Sequence, residues 1–489
     1  MLKKYDSGGE RIERGDVQGI VISSYKYHEC ASYLLLQIDD PVATKRWLAG
    51  ISARVTTSVK PPDNARPPRN LNLAITYSGL HKFAVPDDVL LTFSFPFVDG
   101  MHSDRRARIL GDTGSNEPAQ WWWGNAKRPV DIILMLYAAD ETDIDNYEKE
   151  ESTLASSRGI TVLEMLRAGR QPDTKEHFGF NDGVGQPAID GTEQYERQLA
   201  RTGHVTPLPP GEFLMSYEDA YGNMAPSPAV DAALDAGNLL PRSGDGDIKS
   251  KTHDLGRNGS YMVFRQLEQD VAAFWRFCDE ATKNGDGSSE PIARDQLGAK
   301  FVGRWRSGTP LVLAPDRDTW TDPKTLNPVN DFDYSSDANG FGCPIGAHMR
   351  RANPRNSLGA TPEEGLLTAN RHRIMRRGRS YGVRLSEGDA HPMIDDGKKR
   401  GLHFICFNSD LQRQFEFVQQ TWINNPQFGG LHNEVDPLIG DQGSCSSLMT
   451  IQADPLRSRI KNMCRFVTTR GGAYAFLPGL RALRWIANV

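Results

Sequence analysis

The 489-residue chain lacks the long apolar runs that membrane-spanning segments need. Its best apolar run, residues 130–139, contains Asp131 and therefore predicts a buried strand. Residues 1–19 are charged and contain no apolar signal region, so we expect a cytoplasmic protein without a membrane partner. The chain also has no P-loop, HExxH motif or dinucleotide fingerprint, which argues against the phosphate, zinc-protease and nicotinamide sites that these motifs build.

Cysteine is scarce as well. The six cysteines show neither a CxxC pair nor zinc-finger spacing, and they are Cys30, Cys278, Cys343, Cys406, Cys445 and Cys464. A disulfide scaffold is therefore not expected, and reduced thiols fit a cytosolic protein. The net charge of -5 is small for this length. It argues against nucleic acid as the partner.

Strand and helix patterns follow one another in the first half of the chain without a fixed repeat. Strands are predicted at residues 17–23, 31–38, 71–77 and 130–137, and helices at residues 40–49 and 142–157. This order resembles a β-α-β-β-α-β sandwich more than a doubly wound sheet. The fold class indicated is therefore α+β.

Residues 206–259 are rich in Pro, Gly, Asp and Ser, which is typical of a connection. After it, strands are predicted at residues 260–265, 371–376, 402–408 and 464–468, and helices at residues 266–282, 292–302 and 410–422. The second half thus repeats the α+β character of the first. We expect domains at residues 1–205 and 260–489, joined by this connection.

Residues 341–355 place His348 in a small, turn-rich and otherwise cationic segment. Small neighbours let a large flat ligand approach the backbone, and arginines could hold carboxylates such as haem propionates. His348 is therefore a candidate axial ligand of haem iron. A lone histidine is more often a satisfied loop or core residue, and Cys343 as a thiolate is an alternative ligand.

A second segment, residues 179–187, sets Asp182 among glycines. One interpretation is a tight turn capped by Asp182. The other is a carboxylate held against a bound ligand, where it could move a proton.

Five arginines lie within residues 371–379. A solvated basic face is one interpretation, but Ile374 and Met375 interrupt the charge as a strand would. Some of the arginines are therefore expected to point inward, toward an anion. Farther upstream, Trp305 lies between Arg304 and Arg306, which could flank an anionic flat ligand or form cation–π contacts at a surface turn.

Residues 378–382 match the G-x-S-x-G pattern of a hydrolase nucleophile elbow around Ser380. That elbow must follow a buried apolar strand, and the residues before it are arginine-rich instead. A serine hydrolase using the downstream Asp410 and His432 is kept as an alternative.

Taken together and in this order, these segments resemble the dye-decolorizing peroxidase family. The resemblance extends from residues 15–19 to residues 471–478, and its most specific element is the GxxDG signature at residues 179–183. The chain looks like the larger subgroup, with insertions expected within residues 206–259 and near residues 318–339. The resemblance implies two ferredoxin-like domains whose antiparallel sheets are packed by helices, with haem b held mainly by the C-terminal one.

Site residues carried over from the family are matched by position. Asp182 matches the distal acid–base, His348 the proximal iron ligand and Arg376 the distal arginine, with the adjacent Arg377 as its rival. The family's proximal carboxylate is assigned instead from predicted structure, to Asp410 at the head of the helix that follows the strand at residues 402–408. Arg304, beside Trp305, is a further expected cofactor contact on the residue pattern alone.

The resemblance also implies hydrogen peroxide as the oxidant and dyes, phenols or other aromatic reductants as one-electron donors. Tyr381 is a candidate electron relay, with Trp122 and Trp422 as rivals and aromatic packing as the alternative. A haem carrier without peroxidase turnover is the second functional hypothesis, since it would need His348 but neither Asp182 nor Arg376. Assembly into a homo-oligomer is left open.

Overall fold

The computed structural model describes residues 12–196, 207–244, 251–319, 330–386, 391–443 and 445–489. Part of the insertion expected near residues 318–339 lies outside these ranges, as do parts of the connection at residues 206–259. Within the described ranges, no helix has the length and apolar character needed to cross a bilayer.

The first half of the chain forms an antiparallel four-stranded sheet. Its strands are β1 (Cys30–Ile38), β2 (Arg69–Ile75), β3 (Ile132–Ala138) and β4 (Ile160–Gly169), in the spatial order β2-β3-β1-β4. Helix Pro41–Ser52 follows β1 and helix Glu141–Ser156 follows β3. Four short helices lie between β2 and β3: Tyr77–Lys82, Asp87–Leu90, Phe95–Asp99 and Asp104–Leu110. The predicted β-α-β-β-α-β order is confirmed.

Aspartates begin both long helices of this half. Asp40 accepts hydrogen bonds from the backbone N–H groups of Val42 and Ala43, and Asp140 accepts one from that of Asp143. Side-chain oxygens at this position satisfy amides that have no partner inside the helix. The local sequence therefore sets where each helix starts.

The connection contains a two-stranded hairpin, β5 (Ala229–Asp231) with β6 (Thr252–Asp254). The second half adds strands β7 (Ser260–Gln269), β8 (Met375–Arg376), β9 (Arg379–Tyr381), β10 (Gly401–Asn408), β11 (Ser447–Ile451), β12 (Ser458–Met463) and β13 (Val467–Leu477). Its helices are Val271–Ala281, Pro291–Val302, His348–Ala352, Pro362–Asn370 and Leu480–Asn488, with π-helical turns at Gln412–Glu416 and Val418–Ile423. Four of these strands form a sheet in the order β9-β10-β7-β13, and β8 pairs with β10 on the same edge and in the same register as β9.

The two four-stranded sheets close into a ring. β13 meets β2 through the pair Phe476 and Ile75, and β4 meets β9 through the pair Gly169 and Ser380. Since β10 also pairs with β7, the order β7-β13-β2-β3-β1-β4-β9-β10 returns to its start. Each junction between the sheets is thus a single residue pair.

Alternation along the strands sends side chains to two different cores. In β1, Leu34 is fully buried in the core that contains Trp47 of the following helix. Its neighbour Tyr33 is fully buried in the ring interior with Phe264 and Ile405. Full burial of such an apolar side chain contributes roughly 1.5–3 kcal/mol, so both faces of the sheet stabilise the fold.

Some local predictions were wrong. Residues 17–23 were expected to form a strand, yet Gly19–Ile22 is a helix that buries Ile20 and Val21. A run this short and apolar fits either periodicity. Residues 371–376 form a strand only at Met375 and Arg376, and β4 was missed because charged residues break its apolar pattern.

The expectation of reduced thiols was wrong for one pair of cysteines. Cys445 and Cys464 form a disulfide, while Cys30, Cys278, Cys343 and Cys406 are free and buried. The hairpin of β11 and β12 brings together two positions separated by 19 residues. Sequence spacing alone did not show this proximity.

Candidate active site

A cavity of about 1450 Å³ opens where β4 meets β9. Its lining includes Gly169 and Ser380, the pair that joins these strands, together with Asp182 and Arg376. A junction made by one residue pair leaves room that a continuous sheet would fill. Ligand sites commonly occupy such seams between structural units.

Asp182 lies at the open end of a hairpin-like loop that follows β4. The Glu176 N–H donates to the Phe180 carbonyl (3.0 Å), and the Asp182 N–H donates to the Thr174 carbonyl (3.2 Å). The turn requires glycine at position 179, whose φ is +95° and where a Cβ would lie 2.7 Å from Arg306 Nη2. The loop conformation therefore explains the first glycine of the GxxDG signature.

Asp182 and Arg376 face each other in the cavity. The Arg376 Nη1 lies 3.4 Å from Asp182 Oδ1, and both side chains are about one-third exposed, at 34% and 38%. The same Oδ1 accepts the Gly183 N–H at 2.6 Å. On the other side, Gln186 Oε1 accepts the Arg376 backbone N–H at 3.0 Å. The loop and strand β8 thus hold an acid and a guanidinium together.

The adjacent Arg377 points elsewhere. Its Nε donates to the Ile20 carbonyl (2.9 Å) and its Nη2 to the Val21 carbonyl (2.7 Å). Consecutive residues of a strand project to opposite faces, so only one of the two arginines can face Asp182. The geometry selects Arg376.

Three further arginines surround the same region. Burial, with contributions from Arg355 and Arg376, lowers the pKa of Arg304 to about 9. Burial, with the same two neighbours, also lowers the pKa of Arg373 to about 9. Arg355 donates to the carbonyls of Asn330 (3.0 Å) and Phe332 (2.7 Å), and Arg373 donates to that of Gly185 (3.4 Å). Guanidinium groups that lower one another's pKa in this way favour an anionic ligand between them, because the anion offsets their mutual repulsion.

His348 is the first residue of helix His348–Ala352, and its ring is hydrogen-bonded to a carboxylate. The His348 Nδ1 lies 2.9 Å from Asp436 Oδ2. Asp436 is fully buried, and its Oδ1 accepts the N–H groups of Leu438 and Ile439, each at 2.9 Å. With Nδ1 engaged, Nε2 is the nitrogen available to a metal.

The prediction that Asp410 is the partner of His348 was wrong. Asp410 Oδ1 accepts the Arg413 N–H at 3.0 Å, which makes it the capping residue of the helical segment that follows β10. An aspartate at the head of a helix is usually engaged in this way. Asp436 lies in an irregular segment without periodicity or motif, so no signal in the single sequence pointed to it.

Electrostatics around Asp436 support its ionised form. Burial by itself would raise the pKa of this carboxyl, but His348, the Ile439 amide and Arg351 outweigh it and hold the pKa below its usual range. Arg351 is fully buried and donates to the carbonyls of Trp422 (2.8 Å) and Glu434 (2.8 Å). The histidine is therefore backed by a rigid, negatively charged acceptor.

Arg304 connects the histidine side to the Asp182 side. Gly303, with φ of +96°, packs so closely that a Cβ would lie 3.0 Å from Met349 Cβ. Arg304 Nη2 donates to Asn330 Oδ1 at 3.1 Å, and the Asn330 amide donates to the Val184 carbonyl. One contact chain thus runs from the His348 helix to the loop after Asp182.

The structure does not support the two alternative sites, a thiolate ligand at Cys343 and a serine nucleophile at Ser380. Burial raises the pKa of Cys343 to about 12, so this sulfur stays a protonated thiol and a poor metal ligand. Ser380 lies within strand β9 rather than at a strand-to-helix turn, and Asp410 is occupied as a helix cap. The expected context of a nucleophile elbow is therefore missing.

The candidate relay residues occupy different surroundings. Tyr381 is 9% exposed, and its ring stacks on His403 with centroids 4.5 Å apart. Trp122 is partly exposed beneath Lys399, whose Nζ lies 3.9 Å from the ring centroid. Trp422 is buried against Phe417. Of the three, Tyr381 belongs to strand β9, which lines the cavity.

Haem fits the donor set of this site. Among the described residues, no three His, Cys, Asp or Glu side chains converge as a metal site. Arg355 and Arg373 are partly buried, line the cavity and suit propionates, and the cavity is large enough for a planar macrocycle. Fold and cavity together define a protein built on paired ferredoxin-like sheets, with room for haem at the seam between them.

Comparisons with known proteins narrow this class. No protein-family model matches the chain. Dye-decolorizing peroxidase AauDyP1 of Auricularia auricula-judae is 30% identical over 489 residues, covering 96% of this chain and 86% of that protein. Multifunctional dye peroxidase DyP2 of Amycolatopsis sp. is 32% identical over 381 residues, covering 74% and 72%.

A solved structure shows the same relationship. A dye-decolorizing peroxidase in complex with 2,6-dimethoxyphenol superposes with a TM-score of 0.74 at 25% identity, covering 97% of this chain and 100% of that one. The chain therefore belongs to the dye-decolorizing peroxidase family.

Proposed function

We propose that this chain reduces hydrogen peroxide in the described cavity, with Asp182 as the acid–base and Arg376 as its charge-stabilising partner. Dye-decolorizing peroxidases are hydrogen-peroxide-dependent oxidoreductases that require haem. The observation that carries the proposal is the Asp182–Arg376 contact of 3.4 Å in a cavity that Arg355 and Arg373 also line.

Haem b is the proposed cofactor, held mainly by the C-terminal half. His348 would ligate the iron through Nε2, while Arg304, Arg355 and Arg373 would contact the propionates. The chain has no CxxC pair that would predict covalent attachment through thioethers. When bound, haem supplies a redox-active iron that exchanges electrons with organic reductants one at a time.

The protein's part is to move one proton and stabilise one charge. Asp182 Oδ1 is engaged by the Gly183 amide and Arg376, which leaves Oδ2 to take the proton from one peroxide oxygen and return it to the departing one. The Arg376 guanidinium stabilises the negative charge that develops on that departing oxygen. Asp436 accepts a hydrogen bond from the Nδ1–H of His348 and so keeps Nε2 available to the metal.

Phenols and dyes are the proposed reductants. A neighbouring structure holds 2,6-dimethoxyphenol, and the cavity here exceeds the volume that most small-molecule ligands need. A haem carrier without turnover would not require an acid and an arginine in one cavity. Their contact therefore favours catalysis.

Replacing Asp182 by Asn tests the proposal directly. Asp182→Asn removes the proton acceptor without changing side-chain size, so we expect haem to stay bound while the reaction with peroxide slows about 10²–10⁴-fold. Stopped-flow absorbance of the haem band after mixing with peroxide measures this rate. Asp190→Asn in the same segment is the matched control, and an unchanged rate in Asp182→Asn would leave Asp182 only a turn residue.

Tyr381 is proposed to relay electrons from reductants too large for the cavity. Its buried phenol belongs to strand β9, which lines the cavity, and stacks on His403 in the interior of the closed sheet. Tyr381→Phe keeps the packing but removes the oxidisable phenol, so oxidation of bulky dyes should fall several-fold while that of small phenols stays unchanged. Tyr147→Phe, on the outer helix of the first half, is the control. Equal loss on both substrate sizes would contradict the relay.

A further inference from the structure

Glu176 places a carboxylate inside the loop that carries Asp182. Its Oε2 accepts the Phe178 N–H at 2.9 Å, and its Oε1 accepts the Phe180 N–H at 2.9 Å. The loop's own backbone adds the hydrogen bond from the Gly179 N–H to the Glu176 carbonyl at 2.9 Å. One side chain thus accepts hydrogen bonds from the amides on both sides of the tight turn at Gly179. The second of these amides, that of Phe180, lies two residues before Asp182.

The same carboxylate connects the loop to the second sheet. Gln269, the last residue of β7, donates its Nε2 to Glu176 Oε2 at 2.6 Å. The Gln269 backbone N–H in turn donates to the Arg400 carbonyl at 2.9 Å, just before β10. Through Glu176, the loop that carries Asp182 is therefore hydrogen-bonded to the second sheet as well as being continuous with β4.

Aromatic packing fixes the tip of the loop but not its open end. Phe178 stacks on Phe274 with centroids 4.5 Å apart, and Phe180 lies parallel to Trp275 at 6.2 Å. The side chain of Asp182 itself is 38% exposed. Without the Glu176 bonds, Asn181 and Asp182 would keep their backbone contacts to Arg306 and Thr174 and the bonds of the Asn181 side chain to the Thr174 hydroxyl and the Ser307 carbonyl.

Burial makes the ionised form of Glu176 electrostatically costly. Burial, with a smaller contribution from Asp182, raises the pKa of Glu176 to about 7, against three hydrogen bonds that lower it. No ion pair to Glu176 is formed within the described part of the chain. A neutral amide would avoid this cost but could not accept from both amides and Gln269 at once.

We propose that Glu176 is a positioning residue for Asp182, holding the GxxDG loop against the end of β7 so that Asp182 stays beside Arg376. This inference rests on the proposed function of Asp182. It adds a residue that contacts neither Asp182 nor Arg376 by hydrogen bonding yet governs their geometry.

Glu176→Gln is the test, because the amide keeps the volume and loses the acceptor that serves Phe178 and Gln269. We expect haem to stay bound and the reaction with peroxide to slow about 10–100-fold, since a displacement of about 1 Å costs a catalytic group up to this factor. Hydrogen exchange at the Phe178 and Phe180 amides of the haem-free protein should also accelerate. Glu212→Gln is the matched control, because Glu212 is another buried glutamate whose carboxylate accepts a backbone amide and a glutamine side chain.

The double variant Glu176→Gln with Asp182→Asn separates positioning from an independent effect. If Glu176 acts through Asp182, the double variant reacts with peroxide as slowly as Asp182→Asn alone. Multiplied losses, or a Glu176→Gln rate equal to wild type, would overturn the inference. A normal rate in Asp182→Asn would instead defeat the proposed function.

Gln269→Met provides a second variant if Glu176→Gln fails to fold. It removes one donor to the carboxylate and keeps the side-chain length. We expect a several-fold slower peroxide reaction that disappears in the Asp182→Asn background. An unchanged rate in Gln269→Met with a folded, haem-loaded protein would count against the proposal.

Discussion

The two halves of this molecule share one strand order and differ in what their connections carry. In the first half the order is β4-β1-β3-β2, and in the second it is β13-β7-β10-β9, which is the same arrangement of first, second, third and fourth strands. The first half crosses from β1 to β2 through residues 39–68, whereas the second crosses from β7 to β9 through residues 270–378. The sheet is the constant part, and the connections hold the chemistry.

The site draws on these expanded connections. His348 lies between β7 and β9, and Asp436 lies between β10 and β13. The corresponding connections of the first half form helices that cover the sheet. Asp182, however, follows β4 of the first half, so the acid–base side and the histidine side come from different halves. The seam between the sheets, rather than either sheet, therefore makes the site.

The largest expected effect follows from removing the histidine of the second half. His348→Gln should abolish specific haem binding, because His348 is the proposed metal ligand and Arg304, Arg355 and Arg373 contact only the periphery. Absorbance of the purified protein around the haem band measures the loss. His432→Gln, an exposed histidine in the same half, should bind haem normally. An unshifted haem band in His348→Gln would break the assignment of chemistry to this connection.

A core substitution in the first half should affect stability without affecting chemistry. Leu34 in β1 is fully buried, so Leu34→Ala should lower the free energy of unfolding by about 2–5 kcal/mol. The peroxide reaction of the folded, haem-loaded variant should keep its wild-type rate. Urea unfolding and stopped-flow absorbance test the two parts. A slower reaction would show that the first sheet does more than support the seam.

The smallest expected effect is a pH dependence of stability that comes from Glu212, a residue outside the first sheet. Burial, opposed by Arg413 and the Ala220 amide, raises the pKa of Glu212 from 4.5 to about 7. Because the folded pKa is raised, its stabilising contribution is present below about pH 4.5 and is lost as the pH rises through about 7. The thermal unfolding temperature of Glu212→Gln should therefore change less between these pH values than that of the wild type. Parallel curves for the two proteins would contradict this.

Prediction from sequence worked best where a short segment decides its own structure. The apolar runs of β1, β2 and β3 and the helices capped by Asp40 and Asp140 were found within a few residues of their observed bounds. β4 was missed since it is only partly buried, and its charged residues hide the alternation.

The site residues also divide into those that a short segment indicates and those that only distant contacts identify. The local setting of His348 suggested a ligand, and the glycines around Asp182 suggested a tight turn, which Gly179 confirms with φ of +95°. The choice of Arg376 over Arg377 needed the strand geometry of β8, which turns Arg377 toward the helix at Gly19–Ile22. Asp436 was missed altogether, because an aspartate in an irregular segment carries no local sign of its partner.

By itself the sequence determined the repeated α+β pattern, the turn that presents Asp182 and the cationic setting of His348. Those properties depend on residues a few positions apart, whose propensities act within one turn or strand. Only the tertiary structure decided that His348 meets Asp436 across 88 residues and that Asp182 meets Arg376 across 194. Such contacts arise from the closure of two sheets around shared cores, and that closure depends on the packing of the whole chain.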